Sequence, residues 1–175
     1  KTISSKIKEN NPKYVVIYDD GFNYLTKMCL TNMREACFEM ITIAKSFNCK
    51  VIISSSDSTD HYENYLEKGA DYIIQGEGEI TLSELITHLE ENKSVESING
   101  IVFKNETEIK VNPKRTVLKN LDELPLPAWD LVDMNSYKEI WKQSKQEFTL
   151  NLATTRGCPY KCNWCAKPIY GNRYN

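Results

Sequence analysis

The chain has 175 residues, 26% of them charged, and a formal net charge of −2. This composition argues against a general binder of nucleic acid or anionic membrane, which would carry a basic surplus. No apolar run approaches the ~20 residues of a membrane-spanning helix, and no signal-peptide pattern is present. We therefore expect a cytoplasmic protein whose six cysteines are reduced thiols.

The first part of the chain alternates strand and helix patterns. After a helical start that ends at Asn11-Pro12, short buried strands are predicted at 13–18, 50–54 and 71–75. Amphipathic helices are predicted at 32–47 and 61–68, and a third from Thr81, where Glu84 completes a capping box. This alternation predicts an α/β class with a parallel sheet and helices on both faces.

Three polar loops follow the three predicted strands, at 19–23, 54–59 and 76–79. Ligands of open parallel sheets bind beyond the carboxyl ends of the strands, so these loops form a candidate binding edge. Cys37 lies on the apolar stripe of the helix at 32–47, and we interpret it, with Cys29 and Cys49, as a core residue. His61 and His88 are interpreted as surface residues.

The pattern changes near residue 98. A β-hairpin is predicted from the apolar runs 101–103 and 109–111, and a linker with Pro125 and Pro127 from 121–131. A short helix at 135–143 and a strand at 147–154 follow. We therefore divide the chain into an α/β domain at 1–95, a hairpin and linker at 96–145, and a further domain that starts at 146–175.

Three cysteines after the last predicted strand, Cys158, Cys162 and Cys165, have the spacing C-x3-C-x2-C. Thiolates bind soft metals and iron–sulfur clusters, and a closed zinc site takes four ligands. Three thiolates would leave one iron of a cluster open for chemistry. Two other interpretations remain for Cys162 and Cys165, which also form a C-x-x-C: half of a zinc site, or a redox dithiol.

The run resembles the signature of the radical S-adenosylmethionine (radical SAM) enzymes, in which an aromatic residue, here Trp164, precedes the third cysteine. The segments 155–160 and 170–174 are also similar to that family. The resemblance implies that Cys158, Cys162 and Cys165 hold a 4Fe–4S cluster whose fourth iron binds S-adenosylmethionine, with Trp164 near the adenine. It also implies an anaerobic setting and an electron donor such as flavodoxin or ferredoxin.

The first domain resembles the cobalamin-binding domain that precedes the radical SAM core in one large subgroup. The similarity is carried by the order of elements, by Gly76-Glu77-Gly78-Glu79 and by the linker at 121–130. It implies cobalamin binding near Ser54, Ser55, Gly76 and Glu77. The family often has two glycines where this chain has the two serines. A serine side chain takes space from the nucleotide tail, although its hydroxyl offers a hydrogen bond.

The complete protein is thus expected to use a 4Fe–4S cluster, S-adenosylmethionine and cobalamin for radical methyl transfer or cyclisation of an unidentified substrate. One alternative is a radical SAM enzyme whose α/β domain binds no cobalamin, such as a methylthio- or other group-transferring enzyme. Another is a non-enzymatic zinc or redox module. A barrel takes roughly 200 residues or more, and only its first strand and cluster loop are expected here. We therefore expect a fragment that is inactive alone.

Overall fold

The structure is a computed structural model that describes residues 2–19, 29–150, 155–156 and 160. The chain divides into two compact units, Lys1–Thr116 and Val117–Asn175. Within the described ranges, no helix has the length and apolar character needed to cross a membrane. The α/β domain was expected to end at residue 95, whereas the first compact unit extends to Thr116.

The first unit is built from alternating helices and strands. Its helices are α1 (Ile3–Asn10), α2 (Leu30–Ser46), α3 (Ser56–Asp60), α4 (Tyr62–Glu67) and α5 (Glu79–Glu90). Its strands are β1 (Tyr14–Asp19), β2 (Lys50–Ser55), β3 (Tyr72–Ile74), β4 (Ile101–Asn105) and β5 (Glu108–Val111). The strand and helix types predicted from the apolar patterns are confirmed here, with ends that shift by one or two residues.

The five strands form one mixed sheet in the order β1-β2-β3-β4-β5. The first three are parallel, as the alternation predicts, and β4 and β5 join them as an antiparallel hairpin. The hairpin thus belongs to the sheet of the α/β unit. A two-stranded hairpin is marginal alone, and pairing with β3 buries its Ile101 and Val102 completely.

Each face of the sheet has its own core because alternate side chains of a strand point to opposite faces. On one face, Val51, Ile53 and Ile73 pack with residues of α1, α2 and α4. On the other face, Ile52 and Ile74 pack with residues of α5 and the hairpin. The carboxyl edge of the parallel strands is therefore flanked by helices on two sides.

None of the three described cysteines, Cys29, Cys37 and Cys49, forms a disulfide with another of them. Cys37 and Cys49 are buried, which confirms their interpretation as core residues. The same interpretation is wrong for Cys29, which is exposed. Cys29 is the residue before α2, so it precedes the apolar stripe that packs on the sheet.

Two local predictions are wrong. The serine-rich stretch at 54–59 was expected to be a loop, but it contains α3, which begins directly after β2. The capping box at Thr81 is absent, because α5 begins at Glu79 with Gly78 as its N-cap. Thr81 and Glu84 instead both bind Arg115, so a tertiary contact takes the place of the local one.

The second unit has two 3-10 turns, Leu121–Glu123 and Trp129–Leu131, and the helix α6 (Met134–Gln143). The helix confirms the prediction at 135–143, and Asp133 caps it by accepting a hydrogen bond from the Ser136 amide. The expected strand at 147–154 is not present at 147–150, and its remainder lies outside the described residues. The rings of Trp141 and Phe148 pack edge to face.

Candidate functional site at the carboxyl edge of the sheet

The candidate binding edge lies where β2 and β3 end. Ser54 and Ser55 are the last two residues of β2, and Ser54 is paired with Ile74, the last residue of β3. Gly76 and Glu77 follow β3 after one intervening residue, Gln75. The structure therefore brings the serine pair and the glycine turn together on neighbouring parallel strands, as the pattern predicts.

Ser54 lies on the α5 side of the edge. Its neighbour Ile52 belongs to the core beneath α5, and alternation places Ser54 on the same face. The side chain is 5% exposed. A Cβ atom built on Gly78 would lie 3.3 Å from the Ser54 Oγ atom. Ser54 therefore already fills the space that the absence of a side chain at Gly78 provides.

Ser55 lies on the opposite side and caps α3. Its Oγ atom accepts a hydrogen bond from the Ser58 amide at 2.9 Å, and the Ser58 Oγ accepts one from the Ser55 amide at 3.1 Å. This reciprocal capping box satisfies donors that the helix leaves free at its start. The Ser55 hydroxyl is thus used within the chain to begin α3.

The glycine turn after β3 offers open space. Gly76 has φ +82°, and a Cβ built on it would meet no atom within 4 Å. Glycine adopts this left-handed conformation without the steric cost that a side chain adds. The next residue, Glu77, is half-buried, and its carbonyl accepts a hydrogen bond from the Thr81 hydroxyl at 3.4 Å. The turn is therefore anchored to α5 while the region around Gly76 stays accessible.

A charged network lies beside the edge, and it was not predicted from the sequence. Arg34 of α2 binds Asp57 of α3 through two bonds, Nε–Oδ2 at 2.7 Å and Nη2–Oδ1 at 2.5 Å. The Tyr65 hydroxyl of α4 donates to Asp57 Oδ2 at 2.6 Å. We call these three residues the Asp57 brace. The available signal was Arg34 itself, a charge placed three residues before Cys37 on the buried stripe of α2.

The brace shifts the titration of its members. The Asp57 side chain is 4% exposed, and its hydrogen bonds with Arg34 hold the pKa of its carboxyl below the usual value, although burial acts in the opposite direction. Burial, followed by the hydrogen bond to Asp57, raises the pKa of the Tyr65 hydroxyl. Asp57 is therefore a carboxylate at neutral pH, and it joins α3 to α2 and α4.

Gln75 was also missed, because a single polar residue after a strand carries no pattern. The residue is 6% exposed, and its backbone N–H donates a hydrogen bond to the Gly100 carbonyl at 2.8 Å. Its Nε2 atom donates to the Thr59 carbonyl at 3.5 Å, at the end of α3. Its Oε1 atom is buried and has no hydrogen-bond partner among the residues that the structure describes. Gln75 therefore leaves one acceptor unsatisfied at the candidate edge.

The proposed cluster ligands Cys158, Cys162 and Cys165, together with Trp164, lie outside the described residues. Among the residues that are described, no group of three His, Cys, Asp or Glu side chains is placed to hold a metal ion. The His88 Nδ1 atom lies 2.7 Å from the Ser94 carbonyl, and His61 lies near Asp57, with 3.9 Å between Nε2 and Oδ1.

The chain is similar in sequence to parts of several longer known proteins. No protein-family model matches the chain. It is 30% identical over 129 residues to the anaerobic magnesium-protoporphyrin IX monomethyl ester cyclase of Synechocystis, which is 73% of this chain and 25% of the cyclase. It is 30% identical over 121 residues to the cobalamin-dependent radical SAM methyltransferase TokK of Streptomyces tokunonensis, which is 67% of this chain and 18% of TokK.

Two solved structures have the same fold. The cobalamin-dependent S-adenosylmethionine radical enzyme OxsB, with aqua-cobalamin and S-adenosylmethionine bound, has a TM-score of 0.64 at 24% identity. That match covers 93% of this chain and 21% of OxsB. The radical S-adenosylmethionine methyltransferase TsrM of Kitasatospora setae, with cobalamin and a 4Fe–4S cluster bound, has a TM-score of 0.62 at 18% identity, over 94% of this chain and 33% of TsrM. The chain thus spans a quarter or less of the curated relatives named above.

Proposed function

From the chain's homology to cobalamin-dependent radical SAM enzymes, we propose that the complete protein is a radical SAM iron–sulfur enzyme that uses cobalamin. Its reaction class is radical methyl transfer or cyclisation, on a substrate still to be identified. The observation that carries this proposal is the 30% identity to TokK over 67% of the chain, in a sequence that also has the C-x3-C-x2-C run. Because one of the similar proteins is a cyclase, cyclisation is proposed as an alternative to methyl transfer.

The cluster site is assigned to the cysteine run. Cys158, Cys162 and Cys165 are proposed to hold three irons of a 4Fe–4S cluster, and Trp164 to pack near the adenine of S-adenosylmethionine. When bound, the cluster supplies one electron and S-adenosylmethionine supplies the radical source. Since oxygen destroys such a cluster, the setting is a cytoplasm with little oxygen, and the electron comes from a donor such as flavodoxin or ferredoxin.

The cobalamin site is assigned to the carboxyl edge. The fit rests on two features of this chain, the open space at Gly76 and the unsatisfied Oε1 atom of Gln75. When bound, cobalamin supplies a cobalt centre for methyl or electron transfer. The open Gly76 turn would admit the nucleotide tail, with Glu77 beside it. Ser54 would contribute only its partly covered hydroxyl, and Ser55 would hold α3 in place.

The cobalamin assignment is tested on the complete gene product, prepared without oxygen and with its cluster reconstituted. Hydroxocobalamin is titrated in, unbound corrinoid is removed, and the visible spectrum is read for retention at one corrinoid per chain. Stoichiometric retention is expected. Loss of all corrinoid, with a cluster that still responds to S-adenosylmethionine, would overturn the cobalamin assignment.

The cluster assignment predicts the effect of Cys162→Ala. Removing one of three thiolate ligands should abolish the cluster, measured as loss of iron, sulfide and the visible absorption of the reconstituted protein. Cys29→Ala is the matched control, because Cys29 is an exposed thiol outside the motif and its loss should leave the iron content unchanged. Full iron content in Cys162→Ala would refute the ligand assignment.

A second candidate function follows from the serines. The structure uses the Ser55 hydroxyl in a helix cap, and Ser54 fills the space beside Gly78. These contacts favour a radical SAM enzyme whose α/β domain is a scaffold without cobalamin. The titration separates the two candidates, since a scaffold domain would retain no corrinoid while the cluster and its response to S-adenosylmethionine persist.

A further inference from the structure

The Gln75 carboxamide is an unusual group in the first unit. It is 6% exposed, and its Oε1 atom is buried without a partner among the described residues. Nearly all buried polar side-chain atoms in proteins have a hydrogen-bond partner, and each exception calls for an explanation. An acceptor of this kind requires an N–H or O–H donor, supplied by water or by a ligand.

The orientation of the carboxamide is set by its surroundings. The two ends of an amide side chain are distinguished by their hydrogen bonds. Here the Thr59 carbonyl at 3.5 Å is an acceptor, so the Nε2 end must face it. Rotating the amide would place two acceptors against each other and leave the Nε2 donor without a partner. The observed orientation is therefore the favoured one, and the unsatisfied atom is the acceptor Oε1 and not the donor Nε2.

The position of Gln75 links this acceptor to the binding edge. Gln75 follows β3 directly and precedes Gly76, where an added Cβ atom would meet no atom within 4 Å outside the adjacent residues. Its neighbour across the edge, Ser55, has its hydroxyl engaged with Ser58 in the cap of α3. These two polar side chains therefore differ. The Ser55 hydroxyl has hydrogen-bond partners within the chain, whereas the Gln75 Oε1 atom has none among the described residues.

We propose that Gln75 is a specificity-determining residue whose Oε1 atom accepts a hydrogen bond from a ribose hydroxyl of the nucleotide tail of cobalamin. The proposal rests on the proposed function, and it deepens that function by assigning recognition of the tail to one side chain. The tail is chosen over the corrin ring because a side chain that is 6% exposed at the end of a strand is reached by a narrow group and not by a wide ring. The tail offers ribose hydroxyls as donors, and these are absent from cobinamide.

The test compares wild type with Gln75→Met, which keeps the volume and removes the acceptor. Each protein is titrated with hydroxocobalamin and with cobinamide, a corrinoid that keeps the ring amides and lacks the nucleotide tail. We expect Gln75→Met to weaken cobalamin binding about three- to tenfold, the range for one hydrogen bond. Cobinamide binding should be unchanged. Gln143→Met, an exposed glutamine on α6, is the matched control and should change neither.

A second measurement separates recognition from structural support. Gln75→Met removes an unsatisfied buried acceptor together with the long 3.5 Å hydrogen bond from Nε2 to the Thr59 carbonyl. Because the first change is favourable and the bond lost is weak, the ligand-free variant should unfold at about the same temperature as wild type or at a higher one. A lower unfolding temperature with equal losses for both corrinoids would mean that Gln75 supports the fold through a bound water, and would overturn the proposal. Unchanged cobalamin binding in the variant would also overturn it while leaving the proposed function intact. Failure of wild type to retain cobalamin would overturn both.

Discussion

Two arginine–carboxylate pairs flank the sheet of the first unit, and they differ in burial. Arg34 binds Asp57 on the α3 side, where the carboxylate side chain is 4% exposed. Arg115 binds Glu84 on the α5 side, where the carboxylate side chain is 36% exposed. Both pairs join a guanidinium to a carboxylate, but Arg34 makes two hydrogen bonds to Asp57 and Arg115 makes one to Glu84. The difference in burial decides how much each carboxylate depends on its arginine, since water can replace the partner only where the carboxylate is exposed.

The buried pair also has a different architectural role. Asp57 joins three elements, because Arg34 comes from α2 and Tyr65 from α4, while Asp57 itself opens α3 beside Ser55. The exposed pair joins α5 to the segment after β5. The position of α3, whose Thr59 carbonyl accepts a hydrogen bond from Gln75, therefore depends on the Asp57 brace. The cap at Ser55 starts this helix, and the brace holds it against the sheet.

The largest expected effect is that of Arg34→Met. The substitution keeps an unbranched side chain and leaves the Asp57 carboxylate buried, with the Tyr65 hydroxyl as its one remaining close donor among the described side chains. Breaking a buried pair on one side should lower the free energy of unfolding by about 3 kcal/mol. Urea unfolding followed by circular dichroism measures this change.

The double variant Arg34→Met/Asp57→Asn sharpens the same comparison. Asparagine is neutral and still accepts the Tyr65 hydrogen bond, so it should recover most of the stability lost in Arg34→Met. A loss for Arg34→Met no larger than that of Arg115→Met would show that burial does not distinguish the two pairs.

The next largest expected effect is a dependence of the free energy of unfolding on pH, caused by Asp57. The folded pKa of Asp57 is held below its usual value by Arg34, so the unfolded state binds more protons than the folded state in acid. The stability from this pair is fully present above the unfolded pKa of about 3.9, and it is lost as the pH falls through the folded pKa. In Arg34→Met the main cause of the lowered pKa is gone, and burial acts to raise it.

The stability difference between wild type and Arg34→Met should therefore shrink as the pH is lowered from about 6 to about 3, because a protonated Asp57 no longer needs a cation. Urea titrations at intermediate pH values measure that difference. A gap that stays constant across this range would mean that Arg34 acts through packing of its aliphatic stem and not through its charge.

The contrast between the pairs also explains which parts of the molecule could be predicted from sequence. The strands β1 to β3 and the helix α2 carry their signals locally, in apolar runs and in one amphipathic stripe. The glycine turn at 76–79 followed from the order of those elements, whereas the predicted loop at 19–23 lies outside the described residues after Asp19. Neither arginine pair could be found in this way, because Arg34 and Asp57 lie 23 residues apart and Arg115 and Glu84 lie 31 apart.

The wrong local predictions have the same physical origin. Thr81 and Glu84 match a capping box by spacing, yet both bind Arg115, whose approach depends on the hairpin folding back onto the sheet. The three consecutive serines at 54–56 suggested a loop, and the helix there depends on Ser55 as its cap and on Asp57 meeting Arg34. Gln75 has no sequence signal, since its unsatisfied acceptor exists only after α3 has covered it.

The smallest expected effect is that of Arg115→Met. Glu84 is exposed enough to be hydrated when its partner is removed, and exposed pairs contribute about 1 kcal/mol or less. The buried Thr81 hydroxyl loses the Arg115 Nε donor at 2.8 Å, but it keeps the Glu77 carbonyl as an acceptor for its own proton. We therefore expect a decrease in the free energy of unfolding of about 1 kcal/mol, measured by urea unfolding at neutral pH.

High salt should reduce this decrease further, because exposed charges are screened, whereas the decrease for Arg34→Met should persist. If salt weakens both effects equally, Asp57 is hydrated in solution, and the distinction between the two sides of the edge fails.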